Sequence, residues 1–275
     1  MRKQHVALTL LGLVAVAVGA ITFALAVGSV DLSVAEVWAG LTSNEDDLPR
    51  TLVAELRLPR ALSAFAVGGL LAVAGALMQV LLRNPLADPY VLGVSGGAAV
   101  CALMALMIGL GGLFVDVAAF VGALGATLMV FMVSASGPAG WTPLRLLLTG
   151  VVLAAGFAAL ISLMLALGPD SSLRGMLFWL MGDLSFAENP EGPLLLLLAT
   201  TIAGVLAARH LNIISRGDLQ ALSLGVSVKP LRVGVYLSSS LLTAVAVSTA
   251  GSIGFVGLVI PHLVRTFTGS DHRIL

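Results

Sequence analysis

Long apolar runs without charged residues constrain this chain more than any other feature of its sequence. Six of them lie between charged positions, at residues 6–30, 61–82, 89–115, 117–144, 146–169 and 192–208. A helix needs about 20 apolar residues to cross a hydrocarbon core of about 30 Å. Within lipid, every backbone amide must also find its partner inside a helix or a closed barrel. The runs therefore predict an all-α fold, a polytopic membrane helix bundle.

A seventh run, residues 233–261, holds 29 residues, which is too long for one upright span and too short for two. Gly251, Gly254 and Gly257 interrupt it. We therefore expect a full seventh helix, followed by a short, broken eighth one that continues to about Phe267. The sequence thus predicts eight membrane segments in a single transmembrane domain.

The composition supports this fold and excludes several functions. Only 10% of the residues are charged, against about 25% in a soluble domain. The formal net charge is zero, so no nucleic-acid partner is expected. Cys101 is the only cysteine, and no His, Cys and carboxylate cluster has metal-ligand spacing. We expect neither a metal nor a cofactor in this chain.

The first run is interpreted as an uncleaved span. The apolar core of a secretory signal holds about 7–15 residues, whereas this run holds 25; a cleaved signal is the alternative. Basic residues set the orientation. With the amino terminus in the cytoplasm, ten Lys and Arg residues fall on the inner side and four on the outer side. We therefore expect a multi-pass protein in the lipid bilayer with a cytoplasmic amino terminus.

The spans lack the groups that drive transporters working alone. None of the first seven contains an Asp, Glu, Lys, Arg or His residue, whereas pumps commonly carry such residues within the bundle. The chain also has no G-x-x-x-x-G-K-[ST] loop, so it cannot hydrolyse ATP. We expect no enzymatic activity, and any uphill transport must be powered by another chain.

The second span and the turn after it have the features of a transport pathway. Gly68, Ala72 and Ala76 recur every four residues and predict a smooth ridge that another helix can approach closely. Pro85 and Pro89 then end the helix in a tight turn. The glycine-rich backbone that follows is tolerated in a membrane only inside protein or beside a watery cavity. An ordinary turn between two packed helices is the alternative interpretation.

A polar loop between the sixth and seventh spans, residues 209–232, is a second candidate site. Asp218 is expected to cap a short helix over residues 218–224, and Gly225 is expected to end it. Such a helix on the cytoplasmic face suits a partner that pushes on the membrane protein. A helix that merely lies in the lipid headgroup layer is the alternative.

Two arginines, Arg57 and Arg60, flank Pro59 at the outer mouth of the second span. Their guanidinium groups suit carboxylates on a docking partner. The alternatives are interfacial snorkelling or pairing with Glu55.

Five motifs occur in order along the chain: LRLPR from residue 56, AG-x-L-M-Q-x-x-x-RNPLADP-x-x-LG-x-S-x-GA from 74, W-x-MG from 179, LN followed by G and A-x-x-LGV from 211, and GSIGFVGLVIPH-x-x-R from 251. Together they resemble the FecCD-type permease subunits of type II ABC importers, from roughly residue 56 to the last residue. The resemblance implies ten spans, a homodimer in the bacterial cytoplasmic (inner) membrane, two cytoplasmic ATPase subunits that bind the ATP, and a periplasmic or lipoprotein substrate-binding protein.

The resemblance also implies a cargo, namely iron–siderophore complexes, haem or cobalamin. We expect a ferric siderophore first, then haem, then cobalamin. The chain ends at residue 275, where the resemblance implies two further spans, so we expect a permease truncated at its C-terminus with eight of ten segments. A stand-alone secondary transporter or channel, and a truncated non-functional permease, remain as alternatives.

The resemblance finally implies roles for individual residues. Arg57 and Arg60 match arginines that engage the binding protein. The cytoplasmic gate and pathway are expected to include Gln79, Asn84, Pro85, Leu86, Ser95 and Thr142. The loop that couples to the ATPase is expected to include Asn212, Gly217, Asp218, Ala221, Leu224 and Gly225. Beside Thr142, Pro143 and Leu144 depart from the small hydroxyl residues that the family often shows.

Overall fold

The computed structural model describes residues 3–42, 47–136, 141–185, 187 and 189–273, with side chains from residue 7 onward. Every regular element in these ranges is helical, which confirms the all-α prediction. The helices are α1 Lys3–Ala26, α2 Val34–Thr42, α3 Leu48–Arg50, α4 Leu58–Leu82, α5 Val94–Met107, α6 Leu113–Ala135, α7 Pro143–Leu167, α8 Asp170–Met181, α9 Glu191–Ile214, α10 Asp218–Ser223, α11 Val228–Ala250 and α12 Val256–Thr268. A π-helical stretch, Thr51–Arg57, joins α3 to α4, and a 3₁₀ helix, Pro89–Leu92, precedes α5.

Eight apolar helices in the described ranges correspond to the predicted membrane segments. Six are long and apolar enough to cross a membrane, namely α1, α4, α6, α7, α9 and α11, and α5 and α12 are shorter apolar helices. The last apolar run divides as predicted. Its long helix, α11, ends before Gly251, which has a φ of +71°, and the short α12 begins at Val256 after an irregular stretch.

The bundle has two ends, which we name after the short helices that lie there. The α10 face holds α10, the turn after α4, the start of α7 and the residues after α12. The α8 face holds α8, the end of α1 and the turn after α11, where the amide of Asp183 donates to the carbonyl of Ala250 at 3.0 Å. The candidate sites lie at these two ends.

Helix α4 is the central element and packs against α1, α9, α11 and α12. Glycines let the backbones approach closely. A methyl group on Gly75 would overlap the carbonyl oxygen of Gly257 in α12. In the neighbouring pair of α5 and α6, a methyl group on Gly97 would lie 2.5 Å from the carbonyl oxygen of Gly122. Both pairs therefore gain van der Waals contact along the backbone, which drives helix association where lipid offers no hydrophobic effect.

The predicted ridge at Gly68, Ala72 and Ala76 is wrong as a helix-packing surface. A methyl group on Gly68 would have no neighbour within 4 Å. Ala72 and Ala76 line a cavity of about 430 Å³ between α1, α4, α9 and α12. The close contact uses Gly75 instead. A four-residue repeat identifies a helix face, but it does not show which neighbour that face meets.

Several predicted span boundaries are also wrong. Helix α9 runs on to Ile214 and α11 begins at Val228, so both enter the predicted loop of residues 209–232. Helix α6 begins at Leu113, not after Asp116, because the turn is made earlier by Gly109 and Gly112 at positive φ. Asp116 lies in the first turn of α6, where the helix dipole stabilises a carboxylate. Helix α7 begins at Pro143, before the expected start at residue 146. A charged residue near a span end was therefore a poor marker of the helix boundary.

Candidate functional site

The turn after α4 and the residues that begin α7 meet on the α10 face. They border a cavity of about 350 Å³, which we call the gate pocket, lined by Leu82, Arg83, Asn84, Thr142, Pro143, Leu144 and Leu147. The structure thus brings together Asn84 and Thr142, two predicted gate residues that are far apart in sequence. The lining is mainly apolar, with one guanidinium, one amide and one hydroxyl group.

The turn after α4 is held by backbone and side-chain hydrogen bonds. Arg83 adopts a left-handed conformation, with φ 48° and ψ 38°, and ends the helix. The backbone N–H of Asn84 donates to the backbone carbonyl of Gln79 at 3.2 Å, as in a Schellman cap. The Asn84 side-chain oxygen accepts from the Leu86 amide at 3.0 Å. These bonds present Pro85 and Leu86 to solvent, and Leu86 is 62% exposed.

The other side of the gate pocket is the capped start of α7. The Thr142 hydroxyl accepts a hydrogen bond from the Arg145 amide at 3.4 Å, so Thr142 is the N-cap residue. Pro143 occupies the first helical position, where its missing N–H costs nothing. Leu144 is 65% exposed at the pocket rim. The two departures from the family pattern therefore fit the local geometry of a helix start.

Gln79 and Ser95 lie outside the residues that line the gate pocket. Gln79 is 4% exposed and bridges two helices. Its side-chain nitrogen donates to the carbonyl of Leu258 at 3.3 Å, and its oxygen accepts from Arg265 of α12. Ser95 is half-buried in α5. The structure therefore places Gln79 in a contact between α4 and α12, and the pathway role of both residues stays a prediction.

Helix α10, Asp218–Ser223, begins where the sequence predicted and ends one residue earlier. It begins after Gly217, which has a φ of 120°, and ends before Gly225, whose φ of 75° is the expected left-handed conformation. Buried Ala221 anchors it to the bundle. Three leucines are exposed on its outward side, with exposed fractions of 86%, 59% and 60% for Leu219, Leu222 and Leu224. Such an uncovered leucine surface is typical of a partner contact.

The predicted capping role of Asp218 is wrong, because Gly217 is the N-cap and Asp218 is the first residue of α10. The Asp218 carboxylate instead accepts two hydrogen bonds from one nitrogen of Arg232 in α11, at 2.7 and 2.8 Å. It also forms an ion pair with Arg83 at 3.2 Å. Arg83 and Arg232 hold this carboxylate through charge-assisted contacts, and its place in the first turn of α10 also suits the positive end of the helix dipole.

Asn212, at the end of α9, connects the coupling loop to the residues after α12. Its side-chain nitrogen donates to Asp271 at 2.7 Å, and its oxygen accepts from the His272 amide at 3.0 Å. Hydrogen bonds from the Arg273 amide and from Asn212 hold the pKa of Asp271 below its usual value. Burial lowers the pKa of His272. The interaction fixes the end of α9 beside the residues that follow α12.

On the α8 face, the two predicted docking arginines have different environments. Arg57 is half-buried and donates to the carbonyls of Leu25 at 2.7 Å, Ala26 at 3.1 Å and Val30, at the end of α1. Arg60 is exposed and donates to the carbonyl of Ser185 at 3.2 Å. Docking by either residue stays a prediction, and only Arg60 presents its guanidinium to solvent.

Sequence reasoning missed the ion cluster of Arg83, Asp218 and Arg232. A signal was available, since Asp218 is the only acidic residue in the segment 209–232, which also holds three arginines and one lysine. Among the described residues, no three His, Cys, Asp or Glu side chains come together as a metal site would require.

Residues 13–275 match the profile of the FecCD transport family. The chain is 38% identical over 258 residues to the hemin transport system permease protein HmuU of Yersinia pestis, covering 90% of this chain and 75% of that one. It is 37% identical over 279 residues to the molybdate import system permease protein MolB of Haemophilus influenzae, covering 97% and 81%.

Two further matches bear on fold and cargo. The achromobactin transport system permease protein CbrC of Dickeya dadantii is 38% identical over 268 residues, which is 95% of this chain and 74% of that one. Vitamin B12 import permeases are also among the relatives. A solved inward-facing structure, described as a metal-chelate type ABC transporter, is similar with a TM-score of 0.83 and 32% identity, covering 96% of this chain and 83% of that one.

Proposed function

Because the chain belongs to the FecCD transport family, it is a permease of the metal-chelate type of ABC importer, and we propose that its cargo is a ferric siderophore. Haem and cobalamin follow as second and third candidates. Permeases of this family are not enzymes. Family members act with an ATPase and a binding protein, so a carrier working alone is no longer favoured.

The observation that carries the permease role is the position of the gate pocket. Asn84 and Thr142, on different helices, line one pocket on the face that also holds α10. A gate must lie at an end of the bundle and within reach of the element that moves it. The turn after α4 and the start of α7 meet both conditions, and we assign the cytoplasmic gate to them.

The α10 face is proposed to be cytoplasmic. Its described residues include Arg83, Arg216, Lys229 and Arg232, and basic residues concentrate on the inner side of membrane proteins. On this face, the exposed leucines of α10 form an apolar surface for an ATPase subunit. The amino terminus of α1 is then cytoplasmic as well. On the opposite face, Arg60 is proposed to contact the binding protein, and a second copy of the permease completes a homodimer.

The charge pattern of the spans supports a bulky chelate over a small oxyanion such as molybdate. Beyond their first turns, α4, α5, α6 and α7 contain no charged residue. A desolvated oxyanion needs fixed charged or N–H donors, whereas a chelate carries its metal already coordinated. This argument favours siderophore, haem and cobalamin as a group.

Uptake by cells tests the cargo. The chain is expressed with its ATPase and binding protein in a strain that lacks its own permeases for these compounds. Radiolabelled ferric siderophore, haemin, cobalamin and molybdate are supplied in parallel. We expect accumulation of the ferric siderophore alone. Accumulation of haemin or cobalamin alone would reassign the cargo within the proposed group, and accumulation of molybdate alone would contradict the charge argument.

A further inference from the structure

Three charged side chains connect α10 to the gate pocket. The Asp218 carboxylate, at the start of α10, lies between the guanidinium groups of Arg232 and Arg83, at 2.7 and 3.2 Å. Arg232 comes from α11, and Arg83 is the residue that ends α4. We call these three residues the Asp218 cluster. It joins a short surface helix, a core helix and the turn that borders the gate pocket.

The two arginines in the Asp218 cluster are held differently. Arg232 is 9% exposed and lies on α11, which packs against α4, α5 and α6, so its guanidinium is fixed relative to the core. Arg83 lies in an exposed turn, and its guanidinium is 3.7 Å from the position that a methyl group on Gly217 would occupy. The carboxylate is therefore shared between a cation on the core helix α11 and a cation on a surface turn.

Arg83 has a second set of neighbours in the gate pocket. It lines that pocket together with Asn84 and Thr142. Helix α10 itself packs on α9 and α11. The Arg83–Asp218 ion pair is thus a direct link from α10 to a residue of the pocket. Because Arg83 ends α4, a shift of its side chain acts on the turn that carries Asn84 and Leu86.

We propose that Arg83 is a positioning residue: it makes the turn after α4, which we call the gate turn, move when α10 moves. Asp218 is the partner that Arg83 and Arg232 share, and Arg232 stays fixed to the core. When α10 is displaced, the Asp218 carboxylate changes its distance to both cations, so the favoured position of Arg83 changes with it. Coupling of this kind requires that the contacts differ between the two positions of α10. The inference rests on the proposed function, because it assumes that an ATPase moves α10.

A distance measurement in the assembled importer tests the inference without knowledge of the cargo. Spin labels are placed at Leu86→Cys on the gate turn and Lys229→Cys on α11, both exposed positions, in a Cys101→Ala background. The permease is assembled with its ATPase, and pulsed electron resonance measures the label distance with and without ATP. The ATP hydrolysis rate is measured in the same sample.

In the labelled parent protein, ATP is expected to change the distance between the two labels. In Arg83→Gln, which keeps the Asp218–Arg232 pair, we expect the change to shrink about fivefold or more, while hydrolysis stays within about twofold. Arg83→Lys is expected to restore part of the change, since it keeps the charge. The matched control is Arg216→Gln, which removes an arginine beside α10 but outside the Asp218 cluster. It is expected to behave like the parent.

Asp218→Asn provides a second, independent variant. We expect the same loss of the distance change, because it removes the shared partner of both arginines. An unchanged distance response in Arg83→Gln would overturn the inference while leaving the proposed function intact. If both variants lost ATP hydrolysis as well as the ATP-dependent distance change, the inference would also be overturned. The Asp218 cluster would then serve only to hold α10 in place. No response to ATP in the parent would overturn the proposed gate and the inference together.

Discussion

At the scale of single residues, Arg57 and Arg60 show how neighbouring identical side chains acquire different roles. The last carbonyls of a helix have no partner within it, and Arg57 donates to those at the end of α1. Arg60, one helical turn further along the chain, is exposed. The sequence predicted that both arginines dock a partner, because no nearby residue in the sequence indicates that the end of α1 lies beside Arg57.

This difference predicts opposite results for two matched variants. Arg57→Gln is expected to lower the free energy of unfolding by about 2 kcal/mol, the scale of a charge-assisted hydrogen bond. Arg60→Gln is expected to change it by less than about 0.5 kcal/mol. Thermal unfolding in detergent measures both.

Binding to the substrate-binding protein should show the reverse order. Arg60→Gln is expected to weaken binding severalfold at low ionic strength and less at high salt, since exposed charges are screened over about 8–10 Å. Equal loss of binding in a stable Arg57→Gln variant would show that Arg57 also docks the partner.

At the scale of helices, small residues decide which faces meet. Gly75 of α4 lies against Gly257 of α12, whereas Gly68, two helical turns earlier on the same face of α4, has no neighbour within 4 Å. Both glycines lie in the same helix, so their intrinsic helix propensities are comparable. They therefore form a natural pair for separating packing from propensity.

Gly75→Ala is expected to destabilise the protein by about 1–3 kcal/mol or more, because the added methyl group overlaps backbone that cannot rotate away. Gly68→Ala is expected to be neutral or slightly stabilising. Thermal unfolding and the yield of folded protein in detergent provide the measurement. A stable Gly75→Ala variant would contradict the close approach of α4 and α12.

At the scale of the whole molecule, much of the architecture was predictable from the sequence. Hydropathy predicted the membrane segments, and turn chemistry predicted the position of α10 and the split between α11 and α12. These features depend on local sequence. The sequence could not predict the Asp218 cluster or the partner of Gln79, because both join residues on different helices. Periodicity alone also could not show that α4 makes its close contact with α12 at Gly75.

The gate pocket was predicted only in part. Asn84 and Thr142 were each assigned to the gate by resemblance, and the structure places both on one pocket. Gln79 and Ser95, assigned with them, lie elsewhere. The turn after α4 was thus located from its two prolines, whereas the start of α7 and the cap of α10 were not predicted correctly.

Transport in reconstituted vesicles tests most directly whether this permease depends on ATP hydrolysis by a partner. The chain is reconstituted with its ATPase, ATP is enclosed in the vesicles, and binding protein with labelled ferric siderophore is added outside. The matched control contains an ATPase variant that binds ATP but does not hydrolyse it. We predict accumulation only with ATP and the hydrolysing ATPase. Equal accumulation without ATP, or with the inactive ATPase, would contradict the account and indicate a carrier that works alone.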